Sequence, residues 1–400
     1  MTKNKDIIFW YSIDDKFNLC SDGQRCFKKS KKSCFKVYDN PTNYDFKLIN
    51  AEVFIKKNYN EEALLKAQQD YVKDGNQLFK LSNGNVNIFN YDKLNDCILD
   101  YFYKSTNIRA KKLSDFEKEM ISCSGGGVRF CDEGYTGQVA KYDYASFYPS
   151  ILQRNNFTVP IQEPEVRLLS DFYDCDLKDF SGIPEVGWYN LKVYCDDKKI
   201  FTVKKNNWYT NYELYHLIKY NIKFEVLSTS FYYYDRSKCV KSGHIFKKYI
   251  TEFYEYKQEN KNKLAKNFLN LLWGLLSKQH MRVVTHKITD NKFIKPDDKI
   301  IKMIPQGDSF IFEICKKEIS FTSNFARIKP FLLSKGRCLM HTKIIKSKPS
   351  NIVYAHTDSL FAKGLISNSI SKKAIGRLKC EGIYKRSNII NSNKTELFNF

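Results

Sequence analysis

Residues 138–150 read QVAKYDYASFYPS. The segment opens as a short β-like approach that runs into Tyr148 and Pro149. Pro149 disfavours the helical region for the residue before it, so the strand is expected to end in a turn at Tyr148 and Pro149. Asp143 therefore stands at a strand end. A second segment, residues 351–362 (NIVYAHTDSLFA), reads as a hairpin with strands Asn351 to Tyr354 and Leu360 to Ala362, and with His356, Thr357 and Asp358 at its turn. An isolated aspartate in a turn is usually just a turn former. Two of them, on strands that could neighbour one another in one sheet, could together grip a cation.

Working outward, residues 243–279 form the strongest helical stretch. Leu264, Phe268, Leu271, Leu272 and Leu275 share one side of a 3.6-residue wheel, and Lys263, Lys266, Asn270 and Trp273 share the other. Residues 185–235 alternate around aromatics and predict strands flanking a helix over 212–220. Residues 282–320 return to β-like alternation with turn signals at 296–298 and 307–308, and a helix is predicted over 324–343. Residues 1–120 mix β-like runs (6–13, 46–55) with helical ones (60–73, 91–103). Ser122 to Gly127, SCSGGG, reads equally as a linker or as a place where backbone approaches another chain closely.

The chain has 400 residues, enough for two to four lobes, and 42% hydrophobic residues argue for a folded protein. Lys and Arg outnumber Asp and Glu by 66 to 44, a net charge of +22. That excess fits either a solvated surface or a polyanion partner. The 27 Tyr and 30 Phe favour nucleic acid, because rings stack on bases while cations neutralise phosphates. No apolar run is long enough to span a membrane and no secretory signal opens the sequence, so an intracellular protein is expected, with no membrane partner. The 12 cysteines are scattered, as suits reduced thiols, and Cys20, Cys26 and Cys34 lack the paired spacing of a zinc site.

Asp143-Tyr-Ala-Ser-Phe-Tyr-Pro-Ser150 resembles motif A of family B DNA polymerases, D-x-x-S-L-Y-P-S. Lys266 to Gly274, KNFLNLLWG, is similar to motif B, K-x-x-x-N-S-x-Y-G. Tyr354 to Ser359, YAHTDS, is similar to motif C, Y-x-D-T-D-S, and the three stand in family order. Ser323 to Arg327, SNFAR, resembles the T-x-x-G/A-R element of the protein-primed branch. Gly125 to Gly127 resemble a Y-x-G-G element without its tyrosine, and Lys394 stands where a K-x-Y lysine is expected.

The resemblance implies an α+β right-hand polymerase fold with an antiparallel-sheet palm, helical fingers, a truncated thumb and a degenerate exonuclease-like amino-terminal region. The boundaries it implies are 1–120 for that region, 121–137 for a linker and the start of the palm, 138–235 for palm with an insertion, 236–280 for fingers, 281–385 for palm and 386–400 for the start of a thumb. It implies a DNA-directed DNA polymerase of the mitochondrial-plasmid and viral type, adding deoxynucleoside triphosphates to a primer 3′ end on a DNA primer-template. A terminal protein is a candidate primer, and host cytoplasm or a virus factory the implied location.

By the same resemblance, Asp143 and Asp358, with the Tyr144 carbonyl, hold two Mg²⁺ ions, with Mn²⁺ as an alternative. Lys266 is catalytic, pairing with the incoming phosphates. Ser146 and Phe147 offer backbone amides to the triphosphate, Tyr148 is the steric gate against a 2′-hydroxyl, and Asn270 and Trp273 line the nucleotide pocket. DNA contacts fall to Gly125, Gly126, Arg129, Ser323, Arg327, Lys379 and Lys394, with Lys257, Lys261 and Lys263 as further phosphate candidates. The sequence departs from the family at His356, where motif C has its first aspartate, at Leu271 and Trp273 in motif B, and at Glu396, where K-x-Y has its tyrosine. Asn40 to Asp45 fits the second exonuclease motif only as a short pattern, so proofreading is not expected. These departures keep open a second class: a catalytically weak DNA-binding remnant acting as a replication scaffold. An RNA-directed polymerase is disfavoured because aspartate pairs in that class sit in a different frame.

Overall fold

The computed structural model describes the backbone of residues 8–398, leaving out 14–15, 22–23, 26–33, 41–44, 49–53, 56–60, 92–93, 280–281, 288–297, 307–308, 317–319 and 367–373. Side chains are described for 70–91, 94–279, 320–366 and 374–398, together with 303 and 305. The chain divides into two compact units, Met1–Asn107 with Lys248–Leu272, and Ile108–Lys247 with Trp273–Phe400.

The first unit has a six-stranded sheet whose strand Ile8–Ile13 pairs antiparallel with Lys16–Ser21 and parallel with Cys34–Asn40. The helices Glu61–Leu81 and Leu94–Ser105 follow. Residues 243–279, read as one helical stretch, are two helices, Ser242–Glu259 and Lys263–Leu276. The break falls where Lys261 takes a positive φ of 52° and Asn262 turns inward, its side-chain amide donating to the Asp74 carbonyl and to Gln77 Oε1, both at 2.9 Å. Tyr249, Phe253 and Phe268 bury their rings together, and the Tyr249 hydroxyl donates to the Phe268 carbonyl at 3.0 Å. Leu264, Phe268, Leu272 and Leu275 are buried as their spacing predicts. Leu271 is the correction: it is 40% exposed, because the wheel position it shares lies at the edge of the apolar stripe.

The second unit is organised by a six-stranded antiparallel sheet in the order Lys394–Phe398, Leu378–Asn391, Thr136–Tyr144, Ser359–Ala362, Ile352–His356, Arg129–Cys131. Thr136–Tyr144 has partners on both sides, and its Val139 joins Val353, Tyr354, Phe361 and Ile389 in one apolar cluster. The strand stops at Tyr144, short of the turn expected at Tyr148 and Pro149, and Pro149 does not make a turn. It lies in the first turn of a short helix, Phe147–Leu152, where a missing N–H costs nothing because that donor has no intrahelical partner anyway.

A second sheet joins Glu165–Leu168, Ser230–Tyr233, Gly187–Val193 and Trp208–Thr210, with Phe224–Val226 also on Gly187–Val193. Helix Asn211–Lys219 packs Leu214 and Leu217 against it. Strands Arg282–Lys287, Ser309–Lys316 and Asp298–Gln306 form a third sheet. The turn residues Pro296, Asp297, Gly307 and Asp308 lie outside the described residues. Helix Ile328–Lys346 is buried around most of its circumference, from Ile328 and Phe331 to Met340 and Ile344. Among the described residues no helix is long and apolar enough to cross a membrane.

At the start of that helix Arg327 is only 1% exposed. It donates to Glu117 through Nε at 2.9 Å and Nη2 at 2.8 Å, and to the carbonyls of Lys111 and Lys112 at 2.9 and 2.8 Å and of Ile161 at 2.5 Å. Removing one member of a buried pair strands the other charge. Arg327→Ala is expected to lower unfolding free energy by about 3–5 kcal/mol in urea titrations. A loss below about 1 kcal/mol, the range of an exposed pair, would show that this network does not hold the unit together.

Candidate active site

Backbone pairing brings the strand end at Asp143 beside the turn that carries Asp358. Asp143 lies directly opposite Ser359, and the Tyr144 N–H donates to the Asp358 carbonyl at 3.0 Å. On its other side Asp143 faces Lys379. The turn that presents Asp358 is tight: its N–H donates to the His356 carbonyl at 2.8 Å, and Thr357 sits at a positive φ of 59°. Gly127 closes on this turn. A Cβ there would fall 2.9 Å from the Thr357 Cα, and the Thr357 N–H donates to the Val128 carbonyl at 2.8 Å. The third glycine of the run thus lets two backbone segments of this chain approach closely, a contact within the chain rather than with another one.

The electrostatics follow from this crowding. Burial, then the negative charges of Asp358 and Glu381, push the Asp143 carboxyl up to about 6, with Lys141 and Lys379 pulling back. Burial also raises Asp358, and Glu381 adds to it against the opposing influence of the Asp358 backbone N–H and His356. Glu381, on the Leu378–Asn391 strand, is a third acid that sequence reasoning missed, paired with Lys141 at 2.9 Å. Its position two residues beyond Lys379 follows only once that strand is known to lie beside Asp143. Among the described residues no three His, Cys, Asp or Glu side chains form a ready cage for an ion. The oxygen-only donors nonetheless suit a hard divalent cation, whose charge would offset both the burial of the Asp143 carboxylate and the repulsion from Asp358 and Glu381.

Tyr148 is buried, and its ring lies 4.8 Å from that of Trp273. It rests on helix Ile328–Lys346 at Gly336, where a Cβ would come within 3.0 Å of its ring and 3.3 Å of Phe147. Ser146, at a left-handed φ of 51°, bends the chain from strand into helix. The Ala145 N–H donates to the Arg377 carbonyl at 3.0 Å and the Gly376 N–H to the Ala145 carbonyl at 2.7 Å, fixing this bend against the next strand.

Lys266 and Asn270 belong to the other unit, on the exposed face of their helix, and Lys263 there ion-pairs with Asp70 at 2.8 Å. Gly125, Gly126, Arg129, Lys379 and Lys394 are exposed in the second unit. Arg129 pairs across strands with His356, donates to Asn393 at 3.4 Å next to Lys394, and lines a cleft of about 710 Å³ with Gly127, Tyr194 and Lys198. Two residues leave the set of DNA contacts. Arg327 spends its guanidinium on Glu117 and three carbonyls in the interior, and Ser323 is buried, its hydroxyl accepting from the Phe325 N–H at 3.1 Å to cap the turn before the helix. The motif spelled them as surface residues because sequence does not record that Glu117 waits beneath.

The fold carrying the two acids is similar to that of solved DNA polymerase structures. Similar solved structures are Phi29 DNA polymerase complexed with primer-template DNA and incoming nucleotide substrates, at TM-score 0.53, and the same polymerase complexed with single-stranded DNA, at 0.54. Identity is 16% in both, over 77% and 80% of this chain and 56% of that one. This chain thus spans a little over half the length of those polymerases. No family model and no curated protein sequence matches it.

Because the folded carboxyl of Asp143 titrates near 6 rather than 3.8, its ionised form opposes folding above pH 6, and that cost fades as pH falls toward 4. Without added metal, Asp143→Asn is therefore expected to be more stable than wild type at pH 7.5, by roughly 1 kcal/mol after solvent screening, with the difference gone near pH 4. Thermal unfolding at the two pH values measures it, and equal stability at pH 7.5 would contradict the crowding of negative charge.

Proposed function

We propose that this chain is a DNA-directed DNA polymerase, adding deoxynucleoside triphosphates to a primer 3′ end on a DNA template. The observation that carries the reading is the pairing that sets Asp143 opposite Ser359 and beside Asp358, within a fold of the polymerase type. Asp143, Asp358 and the Tyr144 carbonyl would hold two Mg²⁺ ions, or Mn²⁺, completed by phosphate oxygens and water as such sites commonly are. When bound, the ions supply charge neutralisation at the attacking and leaving oxygens.

The chain's own part is placement. The bend at Ser146 and Phe147 turns backbone amides toward a triphosphate, and Tyr148, wedged between Trp273 and Gly336, cannot retreat from a sugar's 2′-hydroxyl. The exposed Gly125–Gly126 backbone, Arg129, Lys379 and Lys394 lie along one sheet and its approach, suited to phosphates of primer-template. The six-stranded sheet is the palm of this reading. A terminal protein as primer, and replication of a viral or plasmid genome, extend it further.

The test is primer extension with Mg²⁺. Wild type is expected to incorporate deoxynucleotides on DNA templates and far less on RNA, and Asp143→Ala or Asp358→Ala to lose activity by about 10³-fold or more, several kcal/mol at ~1.4 kcal/mol per decade. Full activity in either variant would refute the assignment. His356, in place of an acid, supports the rival of a DNA-binding scaffold. Steeply salt-dependent binding with no incorporation at high Mg²⁺ or Mn²⁺ would decide for it. For the gate, Tyr148→Ala is expected to admit ribonucleotides about tenfold or more better relative to deoxynucleotides, in competition assays.

A further inference from the structure

The interior of the second unit holds a charge network that no step above uses. Glu213, on helix Asn211–Lys219, is 1% exposed and meets two cations. Lys204 Nζ donates to its Oε2 at 2.5 Å, and Arg337 donates to its Oε1 through Nη2 at 2.8 Å and Nε at 3.2 Å. Burial opposes the ionised Glu213, but the two cations outweigh it and bring the carboxyl down to about 2, so the pair stays charged.

Arg337 has a further arm. Its Nη1 donates to the Gly126 carbonyl at 2.7 Å and the Ser124 carbonyl at 3.3 Å. Gly126 precedes Gly127, which is packed on Thr357, the residue before Asp358. In the other direction Arg337 follows Gly336, the seat of Tyr148. One buried guanidinium thus ties the backbone beneath the metal-binding turn to the helix beneath the sugar gate.

We propose that Arg337 is a positioning residue that fixes the spacing between the Asp358 turn and the Tyr148 ring, and through it the discrimination between deoxyribose and ribose. This rests on the polymerase reading. The planar fork matters: a lysine could satisfy Glu213 as a point charge, but could not also reach the Gly126 and Ser124 carbonyls.

Two variants separate positioning from mere stability. Arg337→Lys keeps a cation for Glu213 and loses the arm to Gly126. It is expected to cut deoxyribonucleotide-over-ribonucleotide discrimination about tenfold, lowering kcat for deoxynucleotides while KM changes less than about threefold. Amide hydrogen exchange over residues 125–128 and 356–358 should quicken about tenfold or more in the same variant. Lys204→Met removes the other cation, which does not touch the glycine run. It should lower the unfolding midpoint yet leave the discrimination ratio and those amides as in wild type.

Wild-type discrimination and exchange in Arg337→Lys would overturn the proposal, as would equal shifts in both variants. If wild type incorporates no nucleotide, the polymerase reading fails by itself, and hydrogen exchange still judges the tie. Should Arg337→Lys not fold, the wild-type chain decides: the Thr357 amide must open together with the amides of Ile328–Lys346 across a denaturant series. Independent opening at lower denaturant would sink the idea.

Discussion

The candidate site depends on one hydrogen-bonded ladder, the antiparallel pairing of Thr136–Tyr144 with Ser359–Ala362. Side chains alternate faces along a strand, so a slip of one residue would send Asp143 to the opposite side of the sheet. The register is held from both flanks. On one side the Tyr144 N–H meets the Asp358 carbonyl, and on the other the Leu378–Asn391 strand pairs Lys379 with Asp143. Apolar packing of Val139 against Val353, Phe361 and Ile389 makes any slip costly, because it would expose these and bury polar neighbours.

Two buried arginine–glutamate pairs extend that constraint beyond the sheet. Arg327 with Glu117, and Arg337 with Glu213, sit ten positions apart at and within one segment, and each also donates to backbone carbonyls of a loop that has no regular structure. Such pairs are weak as sources of stability, since desolvation offsets much of their attraction. Their value here is directional: a guanidinium with fixed donors can hold a loop at one angle where apolar packing would tolerate several.

The parts of this arrangement legible in sequence are those encoded locally. The β-like approach to Asp143, the hairpin around His356 to Asp358 and the polar face of Lys263 to Trp273 all carry their signal in nearby letters. What failed was set by partners distant in the chain. Pro149 reads as a turn until its place in the first turn of a helix is known. Leu271 shares its wheel position with buried leucines, but only the packed neighbours reveal where the apolar stripe ends. Arg327 looked like a phosphate contact because its letter fits a motif, and Glu117, far upstream, is what claims it. Glu381 and Arg337 had no signal of their own, for their roles arise from which strand and which glycine they adjoin.

The charge around the aspartates gives His356 a physical reading. Burial, with the repulsion of Asp358 and Glu381 added to it, lifts Asp143 to about 6, and Lys141 and Lys379 only partly compensate. A further carboxylate at 356, within the same hairpin turn, would add to the repulsion Asp143 and Asp358 already share. An imidazole there lowers the proton affinity of Asp358 instead. Glu381 keeps negative charge beside Asp143 while tethered to Lys141. The hairpin on one side of Thr136–Tyr144 and the Leu378–Asn391 strand on the other therefore act on the same aspartates, and a substitution in either is read by both.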